Sequence, residues 1–313
     1  MNITSTSTHA HVHAGHGHAG DGRKGRLLLA LVLTVGMMVV EALGGIWSGS
    51  LALLADAGHM LVDAMALLLA FMGAWLATRP ADARRSYGYG RMEVLAGFVN
   101  AVTQLLLVAW IIYEALNRLL YPHAIMSGPM LVVATIGLLV NLLVLRLLRD
   151  HAHDDVNMAG AALHVLGDLL GSAAAIAAAL AIRGFGWLWA DPALSMLVAL
   201  LILNSAWRLL RRSTHILLEG VPDGMDAGEV EQVLRGADSC ICGIHHLHVW
   251  QLASGSRMAT LHVELGEYAD AGRVIQLVHQ TLRERFDIQH VTVQVDPAGC
   301  PDQHHGCGER GLP

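Results

Sequence analysis

Residues Ala55-Asp56-Ala57-Gly58-His59-Met60-Leu61-Val62-Asp63 decide how this chain is read. They sit inside an apolar run from Leu51 to Ala77. His59 and Asp63 are four positions apart, and on a helix that spacing stacks both side chains on one face. The run is long enough to cross a bilayer, at about 1.5 Å per residue against roughly 30 Å of hydrocarbon. An imidazole and a carboxylate are expensive there, so such groups face a bundle interior and mark an ion or proton path. The spacing recurs in a second apolar run, as His164-Val165-Leu166-Gly167-Asp168. A local hydrogen bond that steadies a helix would account for one such pair. Two pairs supply two nitrogens and two oxygens, the number and kind of ligands a tetrahedral zinc site takes.

Outward from these pairs, the composition is that of an integral membrane protein. Of 313 residues, 54% are hydrophobic and 15% charged, with a mean hydropathy of +0.48. A soluble domain carries about a quarter of its residues as charges. The net charge of −6 excludes a general affinity for nucleic-acid backbones. Six apolar spans are expected at roughly 27–47, 51–77, 95–119, 129–148, 158–182 and 187–207, each near the ~20 residues of a crossing. Arg23, Lys24 and Arg26 precede the first span, and Arg79, Arg84, Arg85 and Arg91 lie between the second and third. Arg146 and Arg149 end the fourth, and Arg208, Arg211 and Arg212 follow the sixth. The opposite side has Arg118 and Arg183 only. The positive-inside bias puts both termini in the cytoplasm. No small-residue cleavage site follows an early apolar run, so no signal peptide is expected.

This topology runs the second and fifth spans in opposite directions. As antiparallel neighbours they would bring His59 level with Asp168 and Asp63 level with His164. His59 is about 12 Å from its outer end and Asp63 about 21 Å from its inner end, while His164 and Asp168 are about 9 and 15 Å from the inner end of theirs. The two pairs can therefore reach a common depth somewhat inside the membrane, while direct contact of the two helices does not follow from the sequence. Asp56, seven residues before Asp63, is either a pathway carboxylate beside the pairs or a helix-start group. Glu41, Asn100, Gln104 and Asn141 are read as hydrogen-bonding links between helices.

Four regions follow. Residues 1–26 form a low-complexity tail with His9, His11, His13, His16 and His18, too polar to bury a core and suited to collecting metal weakly. Residues 27–212 hold the six membrane helices. Residues 213–296 change pattern, to helix-strand-strand-helix-strand. Met225 to Gly236 is amphipathic with Asp226 as N-cap; Ile244–Leu252 and Met258–Leu265 alternate as strands around an Ala253–Arg257 turn; Ala271–Phe286 is helical; Gln289–Val295 is a third strand. Residues 297–313 form a tail with Cys and His. Along the first strand, alternation puts His246 and His248 on one face and His245 on the other. Cys240, Cys242, Cys300 and Cys307 lie on the cytoplasmic side, where thiols stay reduced, and are read as incidental.

With these motifs assembled, the chain resembles the cation diffusion facilitator family. Ser50 to Asp63 is similar to the family's second-helix signature. Ser86-Tyr-Gly-Tyr-Gly-Arg91-Met-Glu93, His164-x-x-x-Asp168 and His246-Leu-His248-Val-Trp250 match further motifs in the family's order, across about residues 27–296. The likeness is greatest to the bacterial zinc, cobalt and cadmium resistance branch. It implies a six-helix transmembrane domain plus a cytoplasmic α+β ferredoxin-like domain, in a homodimer of the cytoplasmic membrane. It also implies that His59, Asp63, His164 and Asp168 are the transport site, and that regulatory metal sites lie near His245, His262 and Asp296. Gln294 stands where some members carry His, so the fuller two-metal pattern is incomplete. The loop between the second and third spans holds Asp82 but no His, which argues against a metal site there. Arg91 and Glu219 match positions where the family has a charge interlock.

The expected function is export of divalent metal, zinc first and cadmium or cobalt besides, in exchange for protons. Zinc is substrate and regulatory ligand, and no prosthetic group is expected. A passive metal channel or a membrane metal sensor would use the same ligands. A metalloenzyme is disfavoured: the chain lacks His-Glu-x-x-His, and four protein ligands leave no open position for water.

Overall fold

A computed structural model describes residues 18–149, 156–253, 255–266 and 268–296. Six helices come first: α1 (His18–Ser48), α2 (Leu51–Ala77), α3 (Arg91–Leu120), α4 (Ser127–Arg149), α5 (Val156–Phe185) and α6 (Ala190–Leu217). All six are long and apolar enough to cross a membrane. Their large side chains are widely exposed, among them Leu67, Phe71, Leu106 and Leu139. That is the surface of a protein solvated by lipid, where helices gain nothing by hiding Leu from a hydrocarbon solvent.

The helices overrun the apolar spans. α1 begins at His18, inside the stretch expected to be a polar tail, and α6 continues past residue 212 to Leu217. Hydropathy measures only the hydrocarbon-crossing part of a helix, whereas backbone hydrogen bonding continues into the polar interface. The remaining tail residues, 1–17 and 297–313, lie outside the described residues.

The described chain divides into two compact units. One ends at Leu61 and resumes over Ala109–Ala199; the other takes Val62–Val108 and the chain from Leu200 on. In the first, α4 packs against α1 and α5. Small residues build the core of this unit: Ala52 of α2, Ala134 of α4, Ala175, Ala178 and Ala179 of α5 and Ala190 of α6 pack with Leu53, Met130 and Ile182. A methyl on Gly44 would stand 2.8 Å from Val133 Cγ2, so α1 approaches α4 as closely as a missing side chain allows. At the start of α2, buried Asp191 from the first turn of α6 accepts from Ser50 Oγ (2.6 Å), Leu51 N (2.7 Å) and Ala52 N (3.1 Å). A carboxylate from a distant helix thus satisfies the orphan amides of α2 and opposes the positive end of its dipole.

In the second unit, α2 and α3 close up at Gly73, where an added methyl would meet Met92 O at 3.0 Å. Beyond α6 lie α7 (Ala227–Arg235), β1 (Ile241–Ala253), β2 (Ser256–Leu265), α8 (Ala271–Phe286) and β3 (His290–Asp296). Strand order is β1-β2-β3, with β1 antiparallel to β2 and β2 parallel to β3. Val230 and Leu234 of α7 and Val274, Val278 and Leu282 of α8 are fully covered, and with Ile244, Val249, Leu261 and Val263 they fill one core. Asp226 caps α7 through Gly228 N, and Asp270 caps α8 through Gly272 N and Arg273 N. The result is the expected ferredoxin-like unit.

Candidate functional site

Helix α2 carries His59 and Asp63 about 6 Å apart along its axis. Both are half-buried. Gln104 of α3, nearly buried, donates from Nε2 to Asp63 Oδ1 at 3.0 Å. The sequence reads Gln104 as a hydrogen-bonding link between helices, and its bond from α3 to α2 is such a link. The bond orients the carboxylate of a candidate ligand, the kind of contact made by a group behind a metal ligand.

Helix α5 carries the second pair. Asp168 is buried, 1% exposed. His164 lies one turn earlier on the same helix, and its side chain lies outside the described residues. One turn beyond Asp168, Ser172 accepts from Asn141 Nδ2 of α4 at 3.4 Å, both buried. Polar side chains thus meet among apolar helices, where each costs free energy unless it serves packing or a passing ion.

A further cluster lies on the cytoplasmic sheet. His245 and His262 are register partners across β1 and β2, and His262 pairs with Gln294 of β3. Asp296 is buried, and its Oδ2 takes both imidazoles, from His245 Nε2 at 3.0 Å and His262 Nδ1 at 3.1 Å. One ligand atom from each of the three residues falls within 4.8 Å of the others. Two nitrogens and one oxygen, leaving one position open, form a donor set that zinc accepts. Burial raises the affinity of Asp296 for a proton, but hydrogen bonds from Gln294, His262 and His245 outweigh it and hold the carboxyl below the usual range. Gln294, where the resemblance puts His in some members, donates to Asp296 Oδ1 at 3.1 Å and so orients that carboxylate.

The β1–β2 register shifts at three places, and one of them bears on this cluster. The β1–β2 register shifts between His245 and His248, and His246 adopts φ +50°. This bulge turns His246 toward the cluster: its ring stacks on His262 at 4.9 Å and meets His245 edge-on at 5.5 Å. His245 and His246 therefore gather on the same side, against the expectation from a regular strand, because a bulge inserts an extra residue into the two-residue period.

The remaining candidates resolve simply. Asp82 accepts from Arg84 N, Arg85 N and Tyr89 OH, each at 2.8 Å, and closes the turn before α3. These bonds hold its carboxyl below the usual range. Arg91 and Glu219 pair at 2.6 Å, in solvent at both ends. A hydrogen bond to Asp238 pushes the Cys240 thiol up, away from the thiolate that binds metal. Cys300 and Cys307 lie outside the described residues.

A model described as the cation efflux transmembrane domain matches residues 27–218. A second, described as the cytoplasmic domain of cation efflux proteins, matches residues 222–298. The chain belongs to the cation efflux family. Among its relatives is the zinc transporter ZitB of Yersinia pestis, 44% identical over 281 residues and 90% of each chain. The metal cation efflux system protein CzcD of Cupriavidus metallidurans is 42% identical over 280 residues, 89% of this chain and 88% of its own. A protein of Bacillus subtilis named cadmium, cobalt and zinc/H(+)-K(+) antiporter is 38% identical over 275 residues, 86% of this chain and 88% of its own. This cation efflux protein is accordingly a membrane transporter and not an enzyme, as the motifs imply.

Proposed function

We propose that this cation efflux protein is an antiporter that exports zinc from the cytoplasm, and cadmium or cobalt besides, in exchange for protons. The transport site is His59, Asp63, His164 and Asp168. One observation carries the reading: two membrane helices each carry a His and an Asp at one-turn spacing, and Gln104 of α3 donates a hydrogen bond to one of those carboxylates. The relatives' names, zinc transporter, metal efflux protein and metal–proton antiporter, support the substrate and the exchange.

The chemistry follows from the ligands. Zinc binds neutral imidazole and carboxylate, so it competes with protons at His59 and His164. A reference imidazole pKa of ~6.5 lies within the range that membrane pH gradients span. At cytoplasmic pH the site takes metal; opened to a more acidic exterior, it takes protons and releases metal. Protonated His beside anionic Asp then returns without an isolated charge in the low-dielectric interior. Both termini face the cytoplasm, and the protein works as a homodimer in the inner membrane. His245, His262 and Asp296 bind a regulatory metal that tightens the dimer.

Inverted vesicles test this reading, because export appears there as uptake. An acid lumen should drive zinc accumulation, zinc should release lumenal protons, and a protonophore should stop both. Zinc that equilibrates at the same rate without proton movement would make the protein a passive channel. No zinc flux at all would leave a sensor.

A further inference from the structure

Glu41 of α1 and Asp56 of α2 are the least expected buried groups in the membrane helices. Glu41 is 0% exposed and Asp56 4%. Among the described residues, neither oxygen of Glu41 has a hydrogen-bond partner, nor has Asp56 Oδ2. A carboxylate used for packing comes with a donor, because an unpaired buried charge costs far more than packing returns. The space around them has been kept open instead. A methyl on Gly137 would stand 2.5 Å from Glu41 Oε1 and 3.3 Å from Ser172 Oγ. A methyl on Gly171 would stand 2.7 Å from Asp56 Oδ1. Two glycines, one on α4 and one on α5, thus make room for two carboxylates that converge on the Gly171–Ser172 step.

We propose that Glu41 and Asp56, with the Ser172 hydroxyl, form a second divalent-cation station that receives the metal after it leaves the His–Asp pairs. The proposal rests on the transport reading above. Height fits: Asp56 precedes His59 by about 4.5 Å on α2 and Ser172 follows Asp168 by about 6 Å on α5, both toward the outer face in that topology. Donor chemistry fits as well. A station of oxygens alone holds zinc less firmly than one with imidazole nitrogens. A path conducts when each site binds well enough to be entered and weakly enough to be left. A nitrogen-containing site for capture followed by an oxygen-only site for release has that order.

The experiment uses full-length protein in proteoliposomes with zinc itself as probe. Glu41→Gln and Asp56→Asn keep shape and remove charge. Each should lower maximal zinc flux about tenfold or more, with the zinc KM on the cytoplasmic face unchanged, the pattern of a lost late step. Equilibrium zinc titration should show the tightest membrane site intact in both. Gly171→Ala, which crowds Asp56 and leaves every carboxylate in place, should slow flux in the same way and carries the test if a charge-removing variant fails to insert. Parental flux in the double variant overturns the station. So does a raised KM at unchanged maximal flux, which would assign the carboxylates to entry. Zinc flux retained with proton counterflow lost overturns it too, since the pair would then serve protons alone. His59→Ala separates this proposal from its premise: tight zinc binding and transport that survive that change would defeat the transport reading, whatever Glu41 and Asp56 do.

Discussion

The two groups of His and Asp in this protein are assembled by different means. In the membrane helices each pair is local, two residues one helical turn apart, so helix formation alone brings them to one face. On the cytoplasmic sheet the cluster is non-local: His245, His262 and Asp296 come from three strands and meet only when β1, β2 and β3 are in register. A cluster made by local spacing is written in a few consecutive letters. A cluster made by register is a property of the folded sheet, and it can respond to whatever bends that sheet. Under the proposed function, this contrast suits two ligand pairs that keep their form through a transport cycle and a cluster that reports metal.

The largest effect should come from the local pairs. Asp63→Ala and Asp168→Ala should each abolish zinc uptake by inverted vesicles while the amount of inserted protein stays near parental, and calorimetry should show the tightest zinc site gone. Tight binding retained in both would place the site elsewhere and end the contrast. Next comes the partner that spacing alone does not supply. Gln104→Leu removes the donor to Asp63 and should weaken zinc affinity about tenfold or more, the usual cost of losing a group behind a metal ligand. A parental titration would show that Asp63 orients itself.

The register-built cluster should give a smaller and different response. Asp296→Asn should leave zinc export running, while removing zinc-dependent protection of the β1–β3 amides from hydrogen exchange. At a zinc concentration a hundred times Kd that protection is worth about 2.7 kcal/mol. Loss of export with the sheet intact would make the cluster part of the transport path. The smallest effect is the response to acid. The folded-state pKa of Asp296 is depressed, so its contribution to stability is present above the ordinary Asp value of ~3.9 and fades as pH falls through the folded value. Acid unfolding of the cytoplasmic unit, followed by circular dichroism of metal-free protein, should begin at higher pH in Gln294→Leu, which lacks one bond to that carboxylate.

Much of the fold is legible in the sequence for the same reason the membrane pairs are. Hydrophobic run length sets the six helices, the 3.6-residue period sets α8 at Ala271–Phe286, and Asp226 marks the start of α7. What stays illegible depends on the third dimension. No local rule announces that Gln104 will find Asp63, or that Asp191 will cap α2. The bulge at His246 breaks a period that an alternating sequence can only suggest, and its left-handed backbone is uncommon outside glycine, though less so for His than for most residues. Glu41 and Asp56 are legible as polar residues in apolar runs, but their convergence on α5 needs the helix packing.

The cap on α2 has a bearing on how the protein is made. The carboxylate that satisfies Leu51 N and Ala52 N belongs to Asp191, 140 and 139 residues further along the chain. During synthesis the ribosome releases the whole of α2 before that group exists. Until α6 enters the bilayer, the first turn of α2 has the Ser50 hydroxyl from its own segment, 3.3 Å from Leu53 N. The helix bearing His59 and Asp63 is thus among the first to be made, yet its first turn gains this cap only once α6 has been made.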